Sequence, residues 1–126
     1  MAADRPVPRC KVWIEKDGVV FGAGLLGLLH GVALYGSLAR AAAEMGMSYR
    51  AAWGRVRRFE RVWGMPLVRT RRGGSGGGGA ILTPEAERLM AQYRRWQEEV
   101  EEAMQKLFRR TFKGEEEPCD TELRTS

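Results

Sequence analysis

Residues 37–63 read SLARAAAEMGMSYRAAWGRVRRFERVW, and this stretch decides the fold. Ser37 and Ser48 each stand just before a run of residues with helical apolar spacing, where serine is a favoured N-cap. Gly46 lies between the two runs, as expected of a tight turn that ends a helix. The stretch therefore predicts a short helix, a turn and a longer helix that ends near Trp63, which is the helix-turn-helix layout.

The longer helix, from Tyr49 to about Trp63, has two different faces. At 100° per residue, its apolar positions fall within a stripe of about 60° that we expect to face the core. These core positions are Ala52, Val56, Phe59 and Trp63. The opposite side, which we call the arginine face, comprises Arg50, Gly54, Arg57 and Arg61, with Arg58 alongside and Trp53 at its shoulder. A merely solvated face is the alternative interpretation, but such a face more often mixes both charge signs.

Positive charge is concentrated in and just after this stretch. The chain of 126 residues has a net charge of +5, yet residues 36–72 alone hold nine arginines and two glutamates. Arginine pairs with phosphates and guanine edges better than lysine does, because its planar guanidinium donates several hydrogen bonds at fixed angles. The distribution predicts a surface that binds a polyanion.

A hairpin is predicted directly after the arginine-rich helix. Leu67–Arg71 and Ala80–Thr83 have short strand patterns, and the glycine-rich run at 72–79 between them suits a hairpin tip. A hairpin in this position is a wing, so we predict a mainly α fold with small β hairpins, the winged helix-turn-helix. A phosphate-binding loop of the NTPase type is not favoured, because the glycine run lacks the terminal Gly-Lys-Ser/Thr.

Upstream, the sequence predicts another hairpin and one more helix. Asp17-Gly18 between two β-branched runs is a strong hairpin signal. Apolar residues from Leu25 to Tyr35 then recur at helical spacing. The uncharged stretch Gly22–Ala39 raises a membrane span as an alternative, but its five glycines and His30 argue against one. We interpret His30 as a core or interface histidine.

A long helix with a coiled-coil seam is predicted to begin at Thr83-Pro84-Glu85, which combines an N-cap, an N1 proline and an acidic first turn. At ~1.5 Å per residue, the helix to Phe112 spans roughly 43 Å, which exceeds what a small winged domain can cover. We therefore predict that its seam forms a homodimer. Packing of the helix on its own core is the alternative, and the two can share the helix. The predicted dimerisation residues are Leu89, Tyr93, Trp96, Val100 and Leu107.

The sequence contains few residues that could act in catalysis or bind a metal. His30 is the single histidine, and Cys10 and Cys119 stand near opposite ends of the chain. Neither a disulfide framework nor a zinc site built on paired thiols is therefore predicted. We predict no enzyme activity, metal or cofactor. An enzyme that binds oxyanion substrates at the arginines is the least favoured alternative.

Duplex DNA is the polyanion that this layout fits best. The start of a recognition helix reaches base edges while its backbone N–H groups face phosphates. The predicted DNA-binding residues are Ser48, Tyr49, Arg50, Trp53, Arg57, Arg58, Arg61, Arg69, Arg71 and Arg72. Ser48 is a candidate phosphate contact, because its hydroxyl also caps the helix. The wing arginines would follow the backbone or the minor groove, and a dimer would select a palindromic operator.

These signals divide the chain into three predicted parts. They are a winged-helix DNA-binding domain at 1–82 (hairpin 11–22, helix-turn-helix 37–63, wing 67–82), a dimerisation helix at 83–112, and a disordered acidic tail at 113–126.

Four segments together resemble a known family. They are Leu38–Trp53 with its Met-Ser-Tyr-Arg turn, Pro66-Leu67-Val68, the glycine loop 73–79, and Ala80-x-Leu82-Thr83-Pro84-Glu85. The combination resembles the N-terminal DNA-binding domain of ModE-type molybdate-responsive transcriptional regulators, a winged helix related to that of LysR-type regulators. The resemblance implies sequence-specific transcriptional regulation in a prokaryotic cytoplasm, on the nucleoid, with molybdate- or tungstate-related genes as targets. Family members that sense molybdate carry oxyanion-binding domains after the linker helix. We expect instead a stand-alone domain, either with a separate molybdate or tungstate sensor protein as its partner or with a role that needs no ligand.

The main alternative function is a protein-interaction module. In that interpretation the long helix and the arginine face bind an acidic protein partner. Both interactions are electrostatic, so salt dependence does not separate them, whereas competition by random duplex DNA does.

Overall fold

The structure, a computed structural model, describes residues 5–71 and 79–113. In chain order its elements are β1 (Ile14–Lys16), β2 (Val19–Phe21), α1 (Ala23–Tyr35), α2 (Leu38–Glu44), α3 (Tyr49–Trp63), β3 (Val68–Arg71), β4 (Gly79–Leu82) and α4 (Pro84–Thr111). They fall into two compact units, one comprising Val12–Tyr93 and the other the described residues on either side of that range. The mainly helical composition, the two small antiparallel sheets and the long last helix confirm the predicted fold class.

The first hairpin closes through a two-residue loop. Lys16 pairs with Val19, which leaves Asp17 and Gly18 as the loop residues. Both have positive φ, 48° and 80°, as a type I′ turn requires. The turn fixes the register that places the ring of Phe21 in the core.

Both predicted serine caps are confirmed. The backbone N–H of Arg40 donates to the Ser37 hydroxyl at the start of α2, at 3.0 Å. The N–H of Ala51 donates to the Ser48 hydroxyl at the start of α3, also at 3.0 Å. Each bond satisfies one N–H group that the first turn of a helix cannot pair internally, so the two caps fix where the helices begin.

The core of the first unit is closed by aromatic contacts between distant parts of the chain. The ring of Phe21 lies 5.6 Å from that of Phe59 and 5.2 Å from that of Tyr93. Trp63 stacks on Phe59 at 4.6 Å, and its indole N–H donates to the Val19 carbonyl at 3.1 Å. The predicted apolar stripe of α3 therefore faces the core. His30, by contrast, is exposed on α1 and is not a core residue.

The second hairpin, β3 with β4, packs on the helices through its backbone. The N–H of Ala80 donates to the carbonyl of Gly36 at 3.0 Å, at the end of α1. A Cβ on Gly79 would lie 2.9 Å from that same oxygen, so this close approach requires glycine. Leu67 and Val68 are both buried, and the strand begins at Val68 rather than at Leu67. The predicted wing tip, 72–78, lies outside the described residues.

The start of α4 is fixed by Thr83. Its hydroxyl donates to the Pro66 carbonyl at 2.8 Å and accepts from the N–H of Ala86 at 2.9 Å. Further along, the buried Tyr93 hydroxyl donates to the Val12 carbonyl at 2.7 Å. Burial raises the pKa of Tyr93 above its ordinary value. The last α4 residue of the first unit is therefore anchored to the beginning of that unit.

The second unit contains the rest of α4 from Arg94. Arg95 and Glu99, one turn apart on this helix, lie 3.4 Å from each other. Phe108 and Phe112 pack with their ring centroids 4.9 Å apart. The predicted acidic tail beyond Lys113 lies outside the described residues. None of the helices in the described part of the chain is long and apolar enough to span a bilayer.

Candidate nucleic-acid interface

The beginning of α3 presents an aromatic pair and an arginine. Tyr49 and Arg50 are exposed, and the Tyr49 ring meets the Trp53 ring edge to face at a centroid distance of 6.4 Å. Ser48, at the N-cap, is exposed as well. Its oxygen already accepts a backbone N–H, while its own O–H group can still donate to a phosphate.

Three arginines of the arginine face point away from the core. Arg50, Arg58 and Arg61 are all exposed. Across residues 5–71 and 79–113, none of the three forms an ion pair with a carboxylate. Gly54 lies among them, and a Cβ added there would meet nothing within 4 Å. The face therefore combines uncompensated positive charge with a central glycine, Gly54, at which a ligand can approach the helix backbone.

Arg57 differs from its neighbours because its guanidinium already has partners. It forms an ion pair with Glu60, and its Nη1 lies 3.4 Å from the Val68 carbonyl oxygen. The guanidinium also lies over the Trp53 ring, 4.1 Å from the centroid, which is a cation–π geometry. The side chain is still 47% exposed. Arg57 thus stands where α3 meets the first strand of the wing.

Glu60 is the site residue that the sequence did not predict. Its Oε2 accepts from the N–H of Leu67 at 2.6 Å and from the N–H of Val68 at 3.1 Å, while Oε1 pairs with Arg57. The side chain is only 13% exposed. A single glutamate in an arginine-rich helix, one turn before its glycine cap, was the available signal, but neither spacing nor charge indicates which backbone groups it will bind.

Strand β3 of the wing carries its two arginines, Arg69 and Arg71, on one side. In the antiparallel register Arg69 lies opposite Ile81, and Arg71 lies opposite Gly79. Arg69 and Arg71 are exposed, whereas Val68 of the same strand is buried. Since side chains alternate between the two faces of a strand, both arginines share its outer face. Arg72, the remaining predicted wing residue, lies outside the described residues.

The predicted dimerisation residues are divided between the two units. Tyr93 is buried in the core of its own chain, and Leu89 is half-buried and packs against that core, so this first part of the seam is used within the domain. Trp96, Val100 and Leu107 belong to the second unit, where Trp96 is 39% and Leu107 53% exposed. Trp96 and Leu107 are thus the exposed members of the predicted set, while Leu89 and Val100 are half-buried.

The described residues show no constellation for metal chemistry. Among residues 5–71 and 79–113, no three His, Cys, Asp or Glu side chains cluster as metal ligands would.

The segment that builds this interface matches a known family. Residues 24–87, from the start of α1 to the first turn of α4, match the family described as "Bacterial regulatory helix-turn-helix protein, lysR family". The chain belongs to the LysR family of bacterial regulatory helix-turn-helix proteins. The matched residues include the whole arginine face, Glu60 and both strands of the wing.

Individual relatives of this LysR-family chain confirm the predicted resemblance to ModE-type proteins. It is 42% identical to the molybdenum-pterin-binding protein MopB of Rhodobacter capsulatus over 65% of this chain and 30% of the relative. It is 38% identical to the DNA-binding transcriptional dual regulator ModE of Escherichia coli K12 over 54% of this chain and 26% of the relative. The molybdenum transport protein ModE of Azotobacter vinelandii is 36% identical over 66% of this chain and 31% of its own length. The chain thus spans less than a third of the length of these relatives.

Proposed function

We propose that this LysR-family chain binds duplex DNA sequence-specifically and regulates transcription. The observation that carries the proposal is the arginine face of α3, which presents Arg50, Arg58 and Arg61 without carboxylate partners among the described residues. A helix of this kind fits the major groove of B-DNA, where arginine is the commonest reader of guanine. The membership in a family of regulatory helix-turn-helix proteins supports the same conclusion.

Each side chain has a distinct role in this proposal. Arg50 and Tyr49, in the first turn of α3, read base edges, with Trp53 beside them. Arg58 and Arg61 pair with phosphates further along the helix, and the Ser48 O–H donates to a phosphate at its start. The exposed wing arginines Arg69 and Arg71, together with Arg72, follow the DNA backbone or the minor groove.

The second unit makes the protein a homodimer in this proposal. Trp96, Val100 and Leu107 fall on one stripe of α4 at steps of four and seven, which is the spacing of a coiled-coil seam. Two copies would present two arginine faces about one duplex turn or a multiple apart and would therefore select a palindromic operator.

The regulated genes are proposed from the relatives alone. Their names refer to molybdenum transport and to the binding of a molybdenum pterin. We therefore favour genes for molybdate or tungstate transport or cofactor synthesis, with a molybdate- or tungstate-sensing protein as the partner.

Selection of duplexes from a random pool tests the proposal, followed by binding measurements on the selected sequence. Arg50→Ala should cost about 1 to 3 kcal/mol of binding free energy and relax the preference at one base pair. Arg55→Ala is the matched control, because Arg55 is exposed on the same helix but lies off the arginine face, near Gly24 of α1. It should retain the base preference. Unchanged affinity and preference in Arg50→Ala would show that α3 is not the reader.

The wing is tested separately through salt dependence. Arg71→Ala should weaken binding to all sequences alike and reduce the slope of log affinity against log salt by about one, because a phosphate contact releases counterions but reads no base. Random duplex DNA should compete with the selected duplex only weakly. If an acidic protein surface were the true ligand, no duplex would be enriched in the selection at all.

A further inference from the structure

The junction between α3 and the wing is organised around one carboxylate. Glu60 projects from the last turn of α3 and accepts both the Leu67 N–H and the Val68 N–H, which are the first backbone donors of the wing. Val68 is the residue at which β3 begins. A single side chain of the reading helix therefore holds the start of the wing strand.

The same carboxylate is connected to the arginine face. Its other oxygen pairs with Arg57, whose guanidinium also approaches the Val68 carbonyl at 3.4 Å and lies over the Trp53 ring. The N–H and the C=O of Val68 are thus both contacted by side chains of α3. Together these contacts fix the distance and the orientation of β3 relative to the arginine face, and hence of the exposed Arg69 and Arg71 that follow Val68.

The charge of Glu60 makes the effect of replacing it informative. A carboxylate beside a surface that binds phosphates opposes binding through Coulomb repulsion, so electrostatics alone predicts tighter DNA binding when the charge is removed. Its position in the junction predicts the opposite. Whether DNA affinity rises or falls when the charge is removed therefore distinguishes a purely electrostatic effect of Glu60 from a positioning role.

We propose that Glu60 is a positioning residue that sets the wing against α3, so that Arg69 and Arg71 reach the duplex that the arginine face reads. The inference rests on the proposed DNA binding. Glu60 itself does not touch DNA in this arrangement, and it acts through the backbone of Leu67 and Val68. Without its ionised carboxylate, the wing arginines remain on the protein but no longer add to binding.

Glu60→Gln is the primary test. Glutamine has nearly the same shape, but its amide offers only one oxygen as an acceptor, so its NH₂ group faces either a backbone N–H or the Arg57 guanidinium. The matched control is Glu44→Gln, which removes the same charge from an exposed glutamate on α2 that pairs only at the surface with Arg40. With a selected duplex, we expect Glu60→Gln to weaken binding by on the order of tenfold and Glu44→Gln to leave it unchanged or slightly tighter.

A double-mutant cycle with Arg71→Ala separates positioning from a general loss of structure. In the wild-type background Arg71→Ala should weaken binding about fivefold and reduce the salt slope, whereas in the Glu60→Gln background it should change neither. Urea unfolding of every variant establishes that each is folded at the temperature of the binding assay.

A second variant retains the charge. Glu60→Asp is one methylene shorter, so its carboxylate cannot reach both N–H groups from the same backbone position. Glu60→Asp should therefore also reduce the loss of DNA affinity that Arg71→Ala causes, although the charge at residue 60 is unchanged. The proposal is overturned if Glu60→Gln binds DNA as tightly as Glu44→Gln does. It is also overturned if Arg71→Ala lowers DNA affinity by the same factor in the wild-type, Glu60→Gln and Glu60→Asp backgrounds. If the wild-type chain binds no duplex, the proposed function itself fails, which is a different result.

Discussion

Gly31 of α1 lies directly against Ala41 of α2. A Cβ added to Gly31 would come within 2.5 Å of the Ala41 Cβ and 3.0 Å of its Cα, and real Cβ atoms essentially never approach another atom as closely as the first of these distances. The absence of a side chain at residue 31 therefore allows these two helices to approach each other. Since α2 packs on α3 in turn, this packing also supports the position of the arginine face.

We expect Gly31→Ala to destabilise the fold by about 1 to 3 kcal/mol, the usual cost of inserting a methyl group into a packed site. The cost should exceed the gain in helix propensity, because one of the close neighbours is a backbone atom. Urea unfolding measures it. Adding Ala41→Gly should restore only part of the loss, since the backbone of residue 41 would still crowd the new methyl group. Gly31→Ala with wild-type stability would mean that α1 and α2 do not cross at this point.

Gly54→Ala should change stability and DNA affinity in opposite directions. Nothing in the described chain lies within 4 Å of the added methyl group, and alanine is favoured over glycine in a helix interior by about 1 kcal/mol, so the free energy of unfolding should rise. Affinity for the selected duplex should fall by about 1 kcal/mol or more, because in the proposed complex the methyl group would lie where the duplex approaches the helix. A more stable variant with undiminished affinity would place the DNA elsewhere.

The features that could be predicted from the sequence are those that depend on neighbouring residues. Ser37 and Ser48 cap helices because their hydroxyl groups reach N–H groups three residues ahead. Asp17-Gly18 closes a hairpin because its two residues adopt positive φ. The apolar stripe of α3 follows from helical periodicity alone. In each case the deciding interaction lies within about one turn of the residue that signals it.

The features that could not be predicted join distant parts of the chain. Glu60 bonds to residues seven and eight positions away across a turn, and Tyr93 reaches Val12, 81 positions earlier. The same periodicity that predicted a dimer seam includes Tyr93, because helical spacing marks an apolar stripe without saying which surface covers it. The sequence does not distinguish Arg57 from the other arginines for a similar reason, since its ion pair with Glu60 and its approach to Val68 exist only in the folded chain.

Leu107→Lys should weaken the proposed homodimer. Leu107 is 53% exposed in the single chain, and burying a leucine stabilises by about 1.5 to 3 kcal/mol, a contribution lost from both copies at once. Glu101→Gln changes the charge equally at an exposed position off the seam and is the control. Sedimentation equilibrium gives both dissociation constants. The seam is refuted if wild type is a monomer at high concentration, or if the two variants dissociate alike.

The wild-type chain should lose stability at alkaline pH as Tyr93 ionises, and Tyr93→Phe should abolish this loss. Burial raises the pKa of Tyr93 in the folded chain, whereas in the unfolded chain it titrates near its ordinary value of about 10. The protonated phenol therefore contributes stability that is fully present below about pH 10 and is lost as the pH rises through the folded pKa. Below pH 10 the variant should be less stable by about 1 kcal/mol, because the bond to the Val12 carbonyl is lost. Urea unfolding between pH 7 and about 11.5 should show this difference shrink at the alkaline end. Parallel curves over the whole range would mean that the hydroxyl group of Tyr93 titrates alike in the folded and unfolded chains.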